Sequence, residues 1–269
     1  MKTLSKVYNG LIFAFLYAPI VVLIVFSFNR TSSRVKWGGF SLRWYEKLFG
    51  NAEILDSLKV TLEIALLSAL IATAIGVLSA LGIFAMNGKL RKTFLAVNNI
   101  PMVNPEIVTG ISLMLLFVFV YRSVGLLQPG FATLLIAHIT FNIPYVILQV
   151  MPKLRQLDPR LYEAALDLGC PPARAFCKVV LPEIIPGVLT GALMAFTMSL
   201  DDFVISYFNS GSSAQTLSVL IYNMTKKPIT PEINALSTLM FGSILVLLLV
   251  INIRQIKDLS QKTVRPRDQ

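Results

Sequence analysis

Six long apolar runs dominate the hydrophobic pattern of the chain: Val7 to Phe28, Val60 to Met86, Leu95 to Tyr121, Phe131 to Val150, Ile184 to Phe208 and Ala235 to Ile253. Each is near or above the ~20 residues a helix needs to cross the hydrocarbon of a bilayer. Because no water there satisfies free backbone groups, and the runs are too long for barrel strands, the pattern predicts an all-α integral membrane protein with six transmembrane helices.

Polar residues inside these runs mark what the helices do besides crossing. The first run carries Pro19, which predicts a kink. In the second, Ser68, Ala72, Gly76 and Ala80 recur every four residues, a small-residue stripe that lets another helix approach closely. Glu63 lies one turn inside the outer end of that run, where it pairs with Lys59 or complements the helix N-terminus. The third run opens on Asn98, Asn99, Pro101, Asn104, Pro105 and Glu106. A carboxylate at membrane depth costs roughly 3 kcal/mol or more, so Glu106 faces protein or water. It either lines a path beside a broken helix or begins the helix that follows Pro105. His138 stands in the fourth run with Asn142 and Pro144. One histidine without partners builds neither a metal site nor a catalytic triad, so interhelical hydrogen bonding is its expected work. In the fifth run Asp201 and Asp202 follow a long apolar stretch. On a regular helix they diverge by about 100°, one towards a pore and the other towards a partner helix.

Between the fourth and fifth runs lies a polar, basic loop from Pro152 to Glu183. Within it Glu163 to Pro182 reads EAALDLGCPPARAFCKVVLP. Helix formers lead to a Gly before Pro171 and Pro172, which predicts a short helix, a turn at Gly169, and a second short helix from Ala173 to Leu181 ended by Pro182. The first external stretch sets Trp37, Phe40, Trp44 and Tyr45 among basic residues, with Ser41 placed to cap a helix reaching Phe49. Such a segment lies at the membrane interface or contacts an external solute-delivery protein.

Composition sharpens the class. Of the 269 residues 55% are hydrophobic and 14% charged, against about 25% charged in soluble domains. The net charge of +10 raises the question of nucleic acid, and the placement of the charge answers it. Segments 1–6, 87–94, 152–183 and 254–269 hold 15 of the 24 Lys and Arg, whereas 29–59, 122–130 and 209–234 hold 9. This bias puts both termini and the 152–183 loop on the cytoplasmic side, and no basic soluble face remains to bind nucleic acid. The tail from Arg254 reads as a solvated inner-surface segment. The first run is too long for a signal peptide, with no small-residue cleavage site before Asn29, and reads as retained. Cys170 and Cys177 both fall in the cytoplasmic loop, as reduced thiols without a metal-site pattern. Five residues separate Gly82 from Gly88 where a phosphate loop has four, and Leu90 stands where Ser or Thr holds magnesium. ATP chemistry must therefore come from another polypeptide.

The loop resembles the EAA loop of ABC-importer permeases: Glu163, Ala164, Ala165, Gly169, Leu181 and Pro182 stand at that motif's spacing, with Val179 in place of its Ile. GGFSLRWYEKLF (38–49), NPEIVTGISLMLLF (104–117), HITFNIPYVI (138–147), FTMSLDDFVISYFNSG (196–211) and PEINALSTL (231–239) extend the likeness to the second permease of spermidine/putrescine importers. The resemblance implies the type I ABC-importer permease fold, a single permease domain over 1–269, and a bacterial inner-membrane location. It also implies a related second permease, two copies of an ATPase that uses ATP and Mg, and an external polyamine-binding protein. The 152–183 loop then docks on the ATPase, and this chain binds no cofactor or metal and is not itself an enzyme. Glu63 departs from what the family leads one to expect.

The polyamine expectation has a warrant of its own. A polycation crossing a low-dielectric path needs carboxylates, and Asp201, Asp202 and Glu106 supply them, whereas no apolar run contains an interior basic residue for an anion. Another cationic solute or a metal ion fits the same carboxylates. A secondary transporter would use them as proton or sodium sites, but no internal inverted repeat is apparent. A membrane-embedded enzyme would need a clustered catalytic set that His138 alone does not supply.

Overall fold

The structure, a computed structural model, describes residues 2–33, 36–226, 232–243 and 245–246. In chain order the helices are α1 (Lys2–Ser27), α2 (Arg43–Phe49), α3 (Ala52–Ala85), α4 (Gly88–Val103), α5 (Glu106–Val124), α6 (Phe131–Gln156), α7 (Pro159–Asp167) and α8 (Pro172–Ala175). A π turn (Phe176–Val180) then leads into α9 (Leu181–Asp201), followed by α10 (Val204–Asn209) and α11 (Leu217–Thr225). The described residues from 232 onward are also helical. Among the described residues the one extended pairing is an isolated bridge between Asn29 and Phe40.

Five stretches are long and apolar enough to cross a membrane: Lys6–Ser27, Ala52–Ala85, Glu106–Val124, Phe131–Gln156 and Pro172–Asp201. They correspond to the first five predicted runs. Most of the second half of the sixth, Ala235 to Ile253, lies outside the described residues, as does the tail from Arg254.

Four boundaries differ from the sequence expectation. α3 begins at Ala52 rather than Val60, because Asn51 Oδ1 accepts the Glu53 N–H at 3.0 Å and caps a polar first turn. The run expected from Leu95 to Tyr121 is two helices, parted where Pro105 holds Asn104 extended (φ −68°, ψ 142°). The run expected from Ile184 to Phe208 ends its long helix at Asp201. The helix expected to stop at Pro182 instead continues to Asp201. Pro182 occupies the first turn of α9, where its missing N–H and fixed φ cost little, and the wider π turn just before it takes up the change of winding.

The described residues fall into two compact units, one drawn from within 2–54 and 223–246 and the other from 55–222. In the first, Asn29 organises the loop after α1. Its side-chain amide donates to the carbonyls of Ser33 (3.1 Å) and Lys36 (2.8 Å), and its Oδ1 accepts from Gly38 N–H at 2.7 Å. Trp44 of α2 is buried and donates its indole N–H to the Asn29 carbonyl at 2.6 Å. Tyr45 reaches Ser27 Oγ at 2.7 Å. Ser41, expected to cap α2, instead lies one residue before the N-cap position, which Leu42 occupies without a side-chain cap, and its Oγ accepts from Arg43 N–H at 3.2 Å. Arg43 and Lys47 lie over the Trp44 ring, and Lys47 is ion-paired with Glu232.

In the second unit the core forms where α6 and α9 pack together, around Val146, Ile147, Val150, Leu154 and Ile184. Small residues set the spacing. A Cβ on Gly187 would stand 2.9 Å from the Gln149 carbonyl, and one on Gly76 would stand 2.7 Å from the Val146 side chain. Ser68, Ala72, Gly76 and Ala80 are all buried, as the stripe predicts. Arg91 donates to the carbonyls of Phe84 and Met86 and so satisfies the C-terminal end of α3. Lys59 and Glu63 pair at 3.9 Å on an exposed face, the structural role expected of Glu63.

Candidate substrate pathway and coupling knob

The break after α9 is built by its own residues. Asp202 leaves the helix with extended backbone (φ −63°, ψ 130°), and its carboxylate turns onto the next segment. Oδ1 accepts from Ile205 N–H at 3.2 Å and Oδ2 from Ser206 N–H at 2.7 Å. These are free donors in the first turn of α10, so Asp202 does the work of a helix cap in the middle of an apolar run. The regular helix that would set Asp201 and Asp202 about 100° apart is therefore absent, because the helix ends between them.

His138 spans the break. Its Nδ1 lies 2.6 Å from Ser199 Oγ on α9, and its Nε2 lies 3.0 Å from Ser206 Oγ on α10 and 3.6 Å from Asp202 Oδ2. Ser199 Oγ also accepts from Ser68 Oγ of α3 at 3.0 Å, and Ser68 Oγ from the Asn142 amide at 3.4 Å. All of these side chains are buried. The interhelical role expected of His138 is thus present, and it joins α3, α6, α9 and α10 in one polar chain. Sequence reasoning missed Ser199 and Ser206 as its partners, and Ser68 as the residue that extends the chain from Ser199 to Asn142. A usable signal existed: an Asp three and four residues before free N–H groups is a capping spacing, flanked here by serines.

The three expected pathway carboxylates differ in surroundings. Asp201 is exposed at the end of α9 and makes no ion pair among the described residues. Asp202 is buried. Glu106 is exposed at the start of α5. Packing brings the elements together: Gly110, one turn beyond Glu106, lies against Val204, Ile205 and Phe208 of α10, and its carbonyl accepts from the Asn209 amide at 3.2 Å. The described residues contain no group of three or more His, Cys, Asp or Glu able to hold a metal ion.

The cytoplasmic knob of the sequence reading is equally specific. Asp158 Oδ1 accepts from Arg160 N–H at 3.0 Å and starts α7, with Pro159 in its first turn. The helix ends in a Schellman turn: Gly169 N–H bonds to the Leu166 carbonyl at 2.8 Å and Cys170 N–H to the Ala165 carbonyl at 3.1 Å. Gly169 has φ +80°, the left-handed conformation this turn requires. Ala165 thus closes the turn through its backbone, while Glu163 and Ala164 are exposed on α7. Leu168, at the tip, is 88% exposed. Leu181 is half-buried and Pro182 exposed at the start of α9.

Residues 72–266, which include both the knob and the break, match the family model described as binding-protein-dependent transport system inner membrane component. The chain belongs to this family. Members of the binding-protein-dependent transport family similar to it include the putrescine transport system permease protein PotI of Escherichia coli, 38% identical over 86% of this chain and 83% of the relative. The spermidine/putrescine transport system permease protein PotC of Haemophilus influenzae is 38% identical over 88% of this chain and 90% of the relative. Among solved structures, a bacterial ABC transporter that imports the acidic polysaccharide alginate superposes with a TM-score of 0.72, covering 93% of this chain and 95% of that one at 12% identity. At that identity the likeness speaks for the fold alone, which is that of ABC-importer permeases. As a family member with five apolar helices long enough to span, the chain is a multi-pass inner-membrane protein and a component of a binding-protein-dependent transport system.

Proposed function

We propose that this chain is a permease subunit of an ATP-driven polyamine importer and forms half of its translocation pore. The observation that carries the reading is that Asp201 and Asp202 flank the break between α9 and α10, while Glu106 opens α5, the helix that packs on α10 through Gly110. An ammonium group leaving water loses several kcal/mol of hydration unless carboxylates replace it, and breaks in spanning helices are where such groups become accessible. Asp201 and Glu106 meet the substrate in turn, while Asp202, held by the backbone of α10, fixes the negative field behind them. The similar permeases named for putrescine and spermidine support the choice of cation.

In the assembly proposed, a related second permease completes the pore, and a polyamine-binding protein delivers substrate from outside. The complex holds two copies of a separate ATPase, which use ATP and Mg, and the 152–183 loop of this chain docks on one of them through Glu163, Ala164, Ala165, Gly169, Leu181 and Pro182. Both termini are cytoplasmic, residues 1–269 act as one permease domain, and the chain itself binds no nucleotide or cofactor. The test is ATPase activity of the complex reconstituted in liposomes with the binding protein, measured across polyamines, amino acids and divalent metals. Stimulation by spermidine or putrescine is expected. Stimulation by amino acids or metals and none by polyamines would reassign the substrate, and uptake that survives deletion of the ATPase would sink the ATP-driven reading.

A further inference from the structure

Beside the break stands an aromatic cluster that the assignment of carboxylates leaves unused. Phe203, in the break, packs against Tyr222 of α11 with ring centroids 4.7 Å apart, and against Tyr207 of α10 at 5.5 Å. Tyr207 and Tyr222 meet at 5.6 Å. The interplanar angles are 50°, 40° and 84°, so the three rings do not stack into a parallel pile. Tyr207 is 41% exposed and Tyr222 39% exposed, which leaves ring surface for a ligand.

The position of the cluster gives it meaning. Phe203 lies two residues from the exposed Asp201, so their Cα atoms stand within about 7 Å of one another. An aromatic face attracts a cation through its quadrupole, and a carboxylate supplies the point charge that rings lack. Tyrosines that merely anchor a helix at the lipid interface need no carboxylate beside them. An alkylammonium needs both: the carboxylate for the ammonium head and the ring faces for the head's rim and the methylenes behind it.

We propose that Phe203, Tyr207 and Tyr222 together with Asp201 form a cation subsite that binds one primary ammonium end of the transported amine and sets its apparent affinity. This rests on the polyamine reading above. Binding one end at the rings while the chain extends towards Glu106 favours flexible amines with spaced charges over compact cations of the same total charge.

The experiment is uptake of radiolabelled spermidine by the complete transporter in liposomes, with the half-saturating concentration and the maximal rate measured separately. A cation–π contact of about 0.5–2 kcal/mol predicts that Tyr207→Leu and Tyr222→Leu each raise the half-saturating concentration about 2- to 30-fold, with Tyr→Phe at either position within about twofold of wild type. Stepwise fluorinated phenylalanines at position 207 keep the ring's shape while draining its face of charge, and are expected to raise the half-saturating concentration with each fluorine. Normal assembly of the leucine variants with an unchanged half-saturating concentration would overturn the subsite, and so would a flat fluorination series, whatever the leucine variants do to folding. A wild-type complex that carries no polyamine would overturn the substrate reading and the subsite together, whereas wild-type transport with indifferent ring variants would overturn the subsite alone.

Discussion

Neighbouring aspartates at the end of α9 should separate cleanly under mutation, one failing in stability and the other in transport. Asp202 accepts two backbone N–H bonds, at 3.2 and 2.7 Å, from inside the protein. An amide at this position keeps one acceptor oxygen and turns an NH2 group towards the second donor. Asp202→Asn therefore loses one charge-assisted hydrogen bond, about 1.5–3 kcal/mol, and leaves a buried N–H facing another donor. Asp202→Ala removes both bonds and frees the start of α10, for about 3–5 kcal/mol after partial relaxation. Asp201, exposed at the helix end, has no such contacts among the described residues, so Asp201→Asn should change stability by no more than about 0.5 kcal/mol. Its loss should appear instead in polyamine uptake, reduced about tenfold or more, which corresponds to roughly 1.4 kcal/mol along the path. Equilibrium unfolding of the purified protein in mixed detergent micelles, paired with uptake by the reconstituted complex, measures both quantities on the same variants. Equal stability of Asp202→Asn and wild type would refute the capping role drawn from the geometry. Full uptake by Asp201→Asn and Glu106→Gln would remove both from the pathway.

Four further outcomes are expected. At Gly169 an added Cβ meets nothing within 4 Å, so Gly169→Ala should cost only the backbone's left-handed strain, about 1–2 kcal/mol, and Gly169→Val more; both should lower transport with normal membrane levels, and wild-type uptake would take the Schellman turn out of the mechanism. Glu163→Lys reverses a charge on the exposed face of α7 and should weaken ATPase retention in pull-downs of the complex; unchanged retention would place the docking face elsewhere. A membrane-impermeant thiol reagent should leave Cys170 and Cys177 unlabelled in intact spheroplasts and reach Cys177 in inverted vesicles stripped of ATPase, whereas labelling from outside would invert the topology. Gly187→Leu should lower unfolding free energy by about 1–3 kcal/mol, since its Cβ alone would stand 2.9 Å from the Gln149 carbonyl; an unaltered unfolding curve would mean that α9 is not held against α6 as described.

Much of the fold was legible because its strongest determinants are one-dimensional. Apolar length specifies a span, the small-residue stripe from Ser68 to Ala80 specifies a close approach, and a Gly ahead of two prolines specifies the turn at Gly169. What escaped was decided by pairings between distant residues or by a local choice between windings. Apolarity continues through Phe203 and Val204, so hydropathy sees one helix where the Asp202 carboxylate makes two. Pro182 resembles a stop signal, and whether it stops a helix depends on whether the preceding turn can widen, which composition does not reveal. His138 was readable as a hydrogen-bonding residue, but its partners Ser199 and Ser206 lie 61 and 68 positions away and become neighbours only when α6, α9 and α10 pack.

The π turn at Phe176–Val180 also makes the join between knob and span unusually forgiving in length. A π turn holds one residue more than an α turn over the same rise, so the extra residue is stored locally and the helix on either side keeps its facing. Deleting one residue within 176–180 should therefore return the segment to ordinary winding while Gly187 and Gly191 stay turned towards α6. The same deletion one turn into α9 would swing everything between the cut and the knob by about 100° and turn the exposed Glu163 to another direction. Chains of slightly different length in this one place can thus carry the same knob in the same orientation, and comparing transport by the two deletion variants would show whether the slack is used.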